Sequence, residues 1–409
     1  MARKRVIYQS EGLYIGCSSG SDHTENLEAG GGAATVIARN GARPQQLHRI
    51  QSINYGFDIP RQDVNQFGQL ARIDQVILEQ PTVDLDFTYY TETGFNEGFL
   101  GFHVGAKNAL SHFISGNIGK IPDHTDLLPG SNFYIRTSQE GDDLNIGTAN
   151  VSVVPGAGDK VIGIGNAFIT NYTTEASVGG FPTTSITAEG LNMKFYGDGT
   201  GVVGGVTSAL VPSISPTDGQ SVQSDFALPD AAQGTTDMPT ALRPGSVAFG
   251  LKLKDHVDSD KALWRGLDAG ELKIQSFSIS ADMSRENLER LGSKFAYSKE
   301  LEFPLTATLT LEAIVSDQLE DDLEDIINGT DATYDIVIKI YGPDDLTKTS
   351  PTDHAIGWKM AGLKTDSLSF SSSIGDNKTV SLTATAQIGA ADDTDNGLFI
   401  AASGVSMAL

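Results

Sequence analysis

The chain has 409 residues, and 39% of them are apolar, which is enough to fill two or three hydrophobic cores. Its single cysteine, Cys17, excludes an intrachain disulfide and a cysteine-based zinc cluster. The 52 acidic and 28 basic residues give a formal charge of −24, which argues against tight binding of nucleic acid, because that binding depends on lysine and arginine contacts with phosphate. The charge does not exclude a protein that nucleic acid passes without binding.

The N-terminus has a superficial likeness to a secretion signal. Three basic residues within Ala2–Arg5 precede an apolar stretch, and Gly16-Cys17 resembles a lipoprotein cleavage site. Polar residues at positions 9–11 interrupt that stretch, and no apolar run in the sequence has the length of a bilayer-spanning helix. We therefore expect synthesis in the cytoplasm rather than secretion, and no membrane partner.

The clearest pattern in the first half is a pair of amphipathic strands. From Ile50 to Pro60 apolar residues such as Tyr55 and Phe57 alternate with polar ones, which predicts a half-buried strand with these two side chains in the core. The next residues, up to Gly68, are predicted to form a structured connection with one helical turn. The alternation resumes over residues 83–88 and predicts a second strand with one apolar and one polar face.

Weaker patterns complete the first half. Residues 5–15 are predicted to form a strand, a glycine-rich arm follows, and a second short strand is predicted at residues 33–38. The spacing of Leu110, Phe113 and Ile114 predicts one short helix. Further strands are predicted at 132–137, 151–154, 161–170 and 183–193. The first half is therefore predicted to be mostly antiparallel β with a single helix.

The segment Ile50–Gly68 recurs without a gap as Ile274–Gly292, with six identical positions and apolar residues at corresponding places. A second alternating strand follows in both copies. A better-marked helix, from Leu319 to Ile327 and ended by Asn328-Gly329, corresponds to the first helix. Two further blocks recur in the same order, so we infer a tandem duplication.

The duplication predicts two tandem domains of mainly β structure. The first covers residues 1–196 and includes the N-terminal arm. Residues 197–241 are rich in Gly, Ser, Thr and Pro without periodicity, which is typical of a connection. The second domain covers residues 242–409 and ends in a C-terminal tail.

Patterns that indicate catalysis or metal binding are weak. Gly199–Gly204 matches a dinucleotide-binding glycine pattern, but no buried strand precedes it and no helix follows. Asp392–Gly397 differs from a calcium loop because neutral side chains take two ligand positions. Asp84 and Asp86 fit a carboxylate pair, yet alternation on an exposed strand face explains them more simply. We predict a protein that is not an enzyme, with no catalytic residue, metal or cofactor.

The segments Leu47–Tyr90 and Lys273–Ala313 together resemble the tail tube (major tail) proteins of tailed bacteriophages. The resemblance spans most of the chain through loose β patterns. It implies two tail-tube-like domains, each a small β-sandwich or half-barrel with one short flanking helix. It also implies a virion tail component whose rings stack into a DNA-conducting tube.

In that family six domains form a ring, so a doubled chain implies a homotrimeric, pseudo-hexameric ring. The tube encloses a tape-measure protein before DNA ejection, and other tail proteins bind at its ends. These partners are implied by the resemblance alone.

If this interpretation holds, the polar faces of the paired strands line the lumen. Their side chains are small and neutral or acidic, so they offer phosphate few contacts and repel DNA. An alternative is an ordinary β-sandwich face exposed to solvent. The lumen-facing candidates are Ser52, Asn54, Asp58, Asp84, Asp86, Ser276, Ser278, Ser280, Asp282, Thr306, Thr308 and Thr310.

The connections after the first strand of each copy are candidates for contacts between rings, because a long connection extends along a tube axis at little free-energy cost. The alternative is a local cap on their own domain. The ring-stacking candidates are Arg61, Gln62, Asp63, Arg285, Glu286 and Asn287.

Two other classes of protein fit the same features. A tail terminator or distal tail protein would form a single ring rather than a tube. A secreted acidic β-domain surface protein would need a signal peptide, which the sequence does not clearly show.

Overall fold

The alternating patterns form antiparallel strands, and the computed structural model is mainly β, as predicted. The structure describes residues 11–17, 25–27, 37–39, 44–77, 80–115, 130–137, 160–196, 209–215, 220–221, 225–226, 228, 242, 247–253, 273–291, 296, 298–314, 333–342, 354–372 and 377–403. The predictions for residues 151–154, the glycine pattern at 199–204 and the second-half helix at 319–329 lie outside these ranges.

The described elements of the first half run from β1 to β14 and include both helices. They are β1 (Glu11–Cys17), β2 (Glu25–Leu27), β3 (Ile37–Arg39), β4 (Gln45–Gln46), β5 (Ile50–Asp58), β6 (Arg61–Val64), β7 (Asp74–Ile77), β8 (Thr82–Tyr90), α1 (Phe95–Leu100), α2 (Ser111–Ile114), β9 (Ser131–Thr137), β10 (Lys160–Ser177), β11 (Thr183–Gly190), β12 (Asn192–Tyr196), β13 (Ala209–Leu210) and β14 (Asp225–Phe226).

The described elements of the second half run from β15 to β23. They are β15 (Val247–Leu253), β16 (Lys273–Asp282), β17 (Arg285–Leu288), β18 (Ser298–Leu301), β19 (Thr306–Ile314), β20 (Tyr334–Ile340), β21 (Ile356–Ser371), β22 (Thr379–Gln387) and β23 (Gly397–Ala402).

Eight strands from both halves form one continuous antiparallel layer, in the order β5-β8-β11-β10-β16-β19-β22-β21. The first four strands belong to the first half and the other four to the second. The two halves meet where β10 pairs with β16, with Asn171 opposite Asp282 and Ser177 opposite Ser276. We call this pairing the seam, and it joins both halves in one sheet.

The strand registers of the first half recur in the second. Ser52 lies opposite Thr88, and their counterparts Ser276 and Glu312 lie opposite each other. Even the irregularities recur, because a β-bulge follows Ile50 in β5 and the corresponding residue of β16. Similar bulges interrupt β10 and β21 at corresponding positions. Thus β5, β8, β11 and β10 correspond to β16, β19, β22 and β21.

The other face of this layer is buried under an outer set of strands and the two helices. Leu85 and Phe87 of β8 share a hydrophobic cluster with Ile279 of β16 and Leu309 of β19. The same cluster contains Phe133 of the outer strand β9, as well as residues of β1, β20, β23 and both helical segments. One hydrophobic core therefore spans both halves and leaves the layer with a single polar face.

Two predictions about the first copy of the repeat are wrong. The helical turn after Pro60 is instead a β-hairpin of β6 and β7, closed by Gly68 with a φ of +85°. The helical turn was predicted because the apolar residues Val64 and Phe67 lie three positions apart. A single pair with this spacing fits a β-hairpin equally well. Tyr55 and Phe57 were assigned to the core, yet they are 39% and 61% exposed, because β5 is an edge strand.

The helical region is only partly predicted. The helix expected at residues 110–114 is present as α2, whereas α1 was missed. Helix α1 is capped at its two ends by Gly94 and Gly101, which both have positive φ. These glycines interrupt the sequence pattern, so the buried residues of the helix, which include Phe99 and Leu100, were not recognised as helical.

Candidate functional site

The polar face of the eight-strand layer is built from small side chains that lie opposite one another across strands. Because side chains alternate between faces, each register fixes which residues share the polar side. One row of opposed residues crosses the layer through Ser52, Thr88, Ser185, Thr173, Ser280, Thr308 and Thr385. Hydroxyl groups also bond along this row, since the Oγ1 of Thr88 lies 3.1 Å from the Oγ of Ser185.

The structure places all of the sequence-predicted lumen candidates on this one face. The first-half members on β5 and β8 are exposed, namely Ser52, Asn54, Asp58, Asp84 and Asp86. In the second half Asp282 and Thr310 are exposed, while the half-buried members are Ser276, Ser278, Ser280, Thr306 and Thr308. The role of this face as the wall of a lumen stays a prediction.

Sequence reasoning missed the contribution of β10 and β11 to the same face. Asn171 and Glu175 of β10 and Thr187 and Glu189 of β11 continue the polar rows between the two copies. The alternation of β11 was visible in the sequence and could have identified its members. The pairing of β10 with β16 could not be predicted from a local sequence pattern, because the two strands lie far apart in the chain.

The polar face is acidic. Strands β5, β8, β11, β19 and β22 contain no lysine or arginine. Asp58, Asp84 and Asp86 lie at one side of the seam, and Glu312 lies at the other. One exposed lysine, Lys364 of β21, lies opposite Thr385 on this face. Elsewhere a polyanion meets mainly carboxylates and hydroxyls, so the surface as a whole repels it.

The hairpin β17–β18 reaches from the second half onto the first. The buried ammonium of Lys299 forms a 2.6 Å ion pair with Glu189 of β11. The guanidinium carbon of Arg285 lies 4.8 Å from the ring centre of Phe168, and burial lowers the pKa of Arg285 to about 10. Farther along, the amide of Ala296 donates a 3.1 Å hydrogen bond to the side-chain oxygen of Gln80. This hairpin thus fastens the seam from one end of the strands.

The ring-stacking candidates fall into two environments. Arg285 contacts the first half of its own chain, whereas Glu286 and Asn287 beside it are exposed. In the first copy Arg61, Gln62 and Asp63 are all exposed on the equivalent hairpin β6–β7, and Asp63 forms a 3.0 Å ion pair with Arg72 of the same hairpin. A role for these six residues between rings stays a prediction.

The two outer edges of the layer repeat the two sides of the seam. One edge is β5, the counterpart of β16, and the other is the C-terminal part of β21, the counterpart of β10. Within the described part of the chain, neither edge has a further strand partner. Both edges expose apolar side chains, with Phe57 at 61% and Phe370 at 47%.

The corresponding positions at the seam are buried. Ala281 takes the place of Phe57 and is 0% exposed, and Thr174 takes the place of Phe370 and is also 0% exposed. Ile279, the counterpart of Tyr55, is 1% exposed. Corresponding residues are therefore buried where a neighbouring half covers them and exposed to solvent at the outer edges.

Membrane-spanning helices and metal-binding clusters were sought among the described residues. None of the helices in the described ranges has the length and apolar character needed to cross a bilayer. Within the same ranges, His, Cys, Asp and Glu side chains do not gather in groups of three or more that could hold a metal ion.

The structural likeness that comparison with known proteins gives is weak. No family model and no curated protein matches the chain. Among solved structures, a chain in the six-fold symmetrised cryo-EM structure of the anti-feeding prophage baseplate is similar over 34% of this chain and 86% of that chain. The two share 12% identity with a TM-score of 0.23, which is too low to carry an argument about function.

Proposed function

We propose that this chain is a structural virion protein that assembles into closed rings, and that the rings stack into a tail tube through which DNA passes. The observation that carries the proposal is the repetition of the seam. One chain contains a complete β10–β16 contact and also presents both of its sides, uncovered, at the outer edges β21 and β5.

Repeating the seam between chains pairs the C-terminal part of β21 with β5 of the next chain. In the register of the seam, Ser369 lies opposite Gly56, and Phe370 lies opposite Tyr55. This pairing satisfies the backbone groups of both edges and covers their apolar side chains. Burial of each large apolar side chain contributes roughly 1.5–3 kcal/mol, which favours association.

The hairpins support the same arrangement. Hairpin β17–β18 is fastened to the neighbouring half through Lys299 and Arg285, while its counterpart β6–β7 has nearly every residue exposed. In the proposed ring, β6–β7 crosses onto the next chain just as β17–β18 crosses onto the first half.

Closure of the ring follows from the kind of contact. The two sides of the seam are different surfaces, so repeating it is a heterologous association that ends only when a rotation closes it. The resemblance to tail tube proteins supplies the expected size, three chains with six halves in a pseudo-hexameric ring. A closed ring leaves neither edge of the eight-strand layer free for aggregation.

The polar face then lines the bore, because the apolar face of the layer is already buried under the outer strands. Hydroxyl and carboxylate groups predominate in the bore and give DNA few cations to bind, so phosphate contacts slow its transit little. Before ejection the tape-measure protein occupies the bore, and other tail proteins bind at the ends of the tube. In this proposal the chain is made in the host cytoplasm, resides in the virion tail and is not an enzyme.

The register of the proposed contact between chains is testable by disulfide formation. Cysteines at Gly56 and Ser369, in a Cys17→Ser background, are expected to cross-link neighbouring chains on oxidation. A Cβ atom at Gly56 meets no atom within 4 Å, so the substitution fits the fold. The matched control pairs Ser52→Cys with Ser369→Cys, about 13 Å out of register, which is beyond the reach of a disulfide.

Electron microscopy of the purified protein tests the assembly itself. Stacked rings with threefold chain symmetry, and cross-links only in the first pair, are the expected results. Monomers at every protein and salt concentration would contradict the proposal. Single rings that never stack would favour a terminator or distal tail protein.

A further inference from the structure

Large apolar side chains are exposed at both ends of the polar-faced layer. At one end lie the hairpin tips, which we define as Phe67 and Leu70 in the first half and Leu291 in the second. They are 104%, 110% and 105% exposed, so none of the residues that the structure describes covers them. In the turn that joins β10 to β11, Val178 is 68% exposed and Phe181 is 53% exposed.

The register of β8 places the β6–β7 hairpin and this turn at opposite ends of the layer. Thr82, at the start of β8, lies opposite Asp58, just before the β6–β7 hairpin. Tyr90, at its end, lies opposite Thr183, just after the β10–β11 turn. The strand between them spans roughly 27 Å at about 3.4 Å per residue.

Closing the ring does not cover the tips. The second-half hairpin is already docked on a neighbouring half through the Lys299–Glu189 ion pair, yet Leu291 at its tip remains fully exposed. Phe67 occupies the position that corresponds to Leu291. Docking of the first-half hairpin on the next chain would therefore leave Phe67 exposed as well.

The conformation of the β10–β11 turn is fixed by a hydrogen bond and by an aromatic contact. The amide of Val178 donates a 2.9 Å hydrogen bond to the carbonyl of Gln275 in the second half. The ring of Phe181 packs against Tyr90, with ring centres 5.2 Å apart. A surface held in this way loses little conformational entropy when it binds.

Both ends lack the net negative charge of the chain as a whole. The second tip does contain charged residues, because Glu289, Arg290 and Lys294 lie near Leu291 in the sequence, but the bases outnumber the acid. Residues 65–71 of the first tip and residues 177–183 of the turn contain no Asp, Glu, Lys or Arg, although the chain carries a formal charge of −24. Identical rings with that charge repel one another wherever carboxylates meet. These apolar ends, which carry no net negative charge, are the surfaces on which two copies can approach without that repulsion.

We propose that rings stack head to tail through these two ends, with the hairpin tips of one ring packed against the Val178 and Phe181 turns of the next. The partner is a second copy of this chain. The inference rests on the proposed function, because it presupposes the ring, and it assigns the contact between rings to the hairpin tips rather than to Arg61 or Arg285.

Two variants test the two ends separately. The tip variant is Phe67→Ser, Leu70→Ser and Leu291→Ser, and the turn variant is Val178→Ser and Phe181→Ser. In the cysteine background, both variants are expected to form rings whose chains cross-link between positions 56 and 369. Electron microscopy is expected to show these rings but no tubes. The matched control is Phe195→Ser on β12, an equally exposed aromatic at 67%, which is expected to form tubes of normal length.

Mixing the preformed rings gives a complementation test. A tip-variant ring keeps its turns and a turn-variant ring keeps its tips, so the mixture is expected to give stacks of two rings and nothing longer. Tubes of normal length from either variant, or stacks longer than two rings in the mixture, would overturn the inference while leaving the ring intact. Loss of rings in the tip variant alone would also overturn it, because the tips would then act within the ring. Failure of the unsubstituted chain to form rings would instead contradict the proposed function.

Discussion

The indole nitrogen of Trp358 donates a 3.0 Å hydrogen bond to the hydroxyl oxygen of Tyr172, and both side chains are 0% exposed. Trp358 belongs to β21 in the second half and Tyr172 to β10 in the first, so this bond links the halves inside the core. A buried donor without an acceptor costs about 1–3 kcal/mol. We expect Tyr172→Phe to lower the free energy of unfolding by that amount in urea denaturation.

Tyr90→Phe is the matched control, because Tyr90 is only half-buried and its hydroxyl removal should change the free energy of unfolding by less than about 0.5 kcal/mol. Equal stability of the two variants would show that the bond to Trp358 does not hold the halves together.

Glu97 makes the stability of the fold depend on pH. Its carboxylate accepts a 2.9 Å hydrogen bond from the hydroxyl of Tyr89, and burial raises the pKa of Glu97 to about 7. A raised pKa favours the protonated folded state, so the stabilisation is complete below about pH 4.5 and is lost as the pH rises through 7. The loss is on the order of 3 kcal/mol.

Two histidines have the opposite effect on stability. Burial lowers the pKa of His48 and His103 to about 4, so the free energy of unfolding decreases as the pH falls below 6.5. The measurement is therefore the difference in unfolding free energy between the native chain and Glu97→Gln. From pH 5 to pH 8 the native chain should lose stability relative to this variant. A difference that does not change with pH would refute the role of Glu97.

A charge at either outer edge should block association of chains. Phe57→Asp places a carboxylate where the next chain would bury it, and Phe370→Asp does the same on the opposite edge. Loss of one such burial, at roughly 1.5–3 kcal/mol, raises the concentration needed for assembly by about ten- to a hundredfold. Sedimentation velocity measures this concentration.

Phe195→Asp, at an exposed position on the outer strand β12, should assemble like the native chain. If it weakens assembly as much as the edge variants do, the effect comes from added charge and the edges are not the contact.

The acidic polar face should decide whether DNA sticks inside the tube. Asp58→Lys, Asp84→Lys and Asp86→Lys together replace carboxylates with cations on one side of the face. Tubes should still form, but short duplex DNA should bind them with an affinity that falls steeply with salt, and variant virions should eject DNA slowly.

The control for the polar face is Asp392→Lys with Asp395→Lys, in an exposed loop outside the layer. Normal ejection by the polar-face variant would place Asp58, Asp84 and Asp86 on the outer wall rather than in the bore.

Strands with a complete alternation of apolar and polar residues were predicted correctly from the sequence. Predictions were wrong where the structure depends on contacts between residues that are distant in the chain. Strand β8 and its counterpart β19 lie where the pattern put them, because each buries one full apolar side within the chain. The pattern also identified Tyr55 and Phe57 as one side of β5, but periodicity says which side is apolar and not what covers it. The core assignment of these two residues therefore failed.

The polar face was predicted in part for the same reason. Its members on β5, β8, β16 and β19 follow from alternation, whereas its continuity through Asn171 and Glu189 depends on the seam between distant strands. The ion pair of Lys299 with Glu189 likewise joins residues that no local pattern connects. Hairpin β6–β7 was missed because two apolar residues three positions apart fit a turn of either kind.

The seam between β10 and β16 lies within a single polypeptide. Two halves tethered in this way meet at an effective concentration in the millimolar range, far above that of free chains in a cell. Every second contact around a ring would thus form while the chain folds, and only the remaining contacts would wait for molecules to collide. The tether also fixes composition, because the two unlike halves must alternate around the ring in equal numbers.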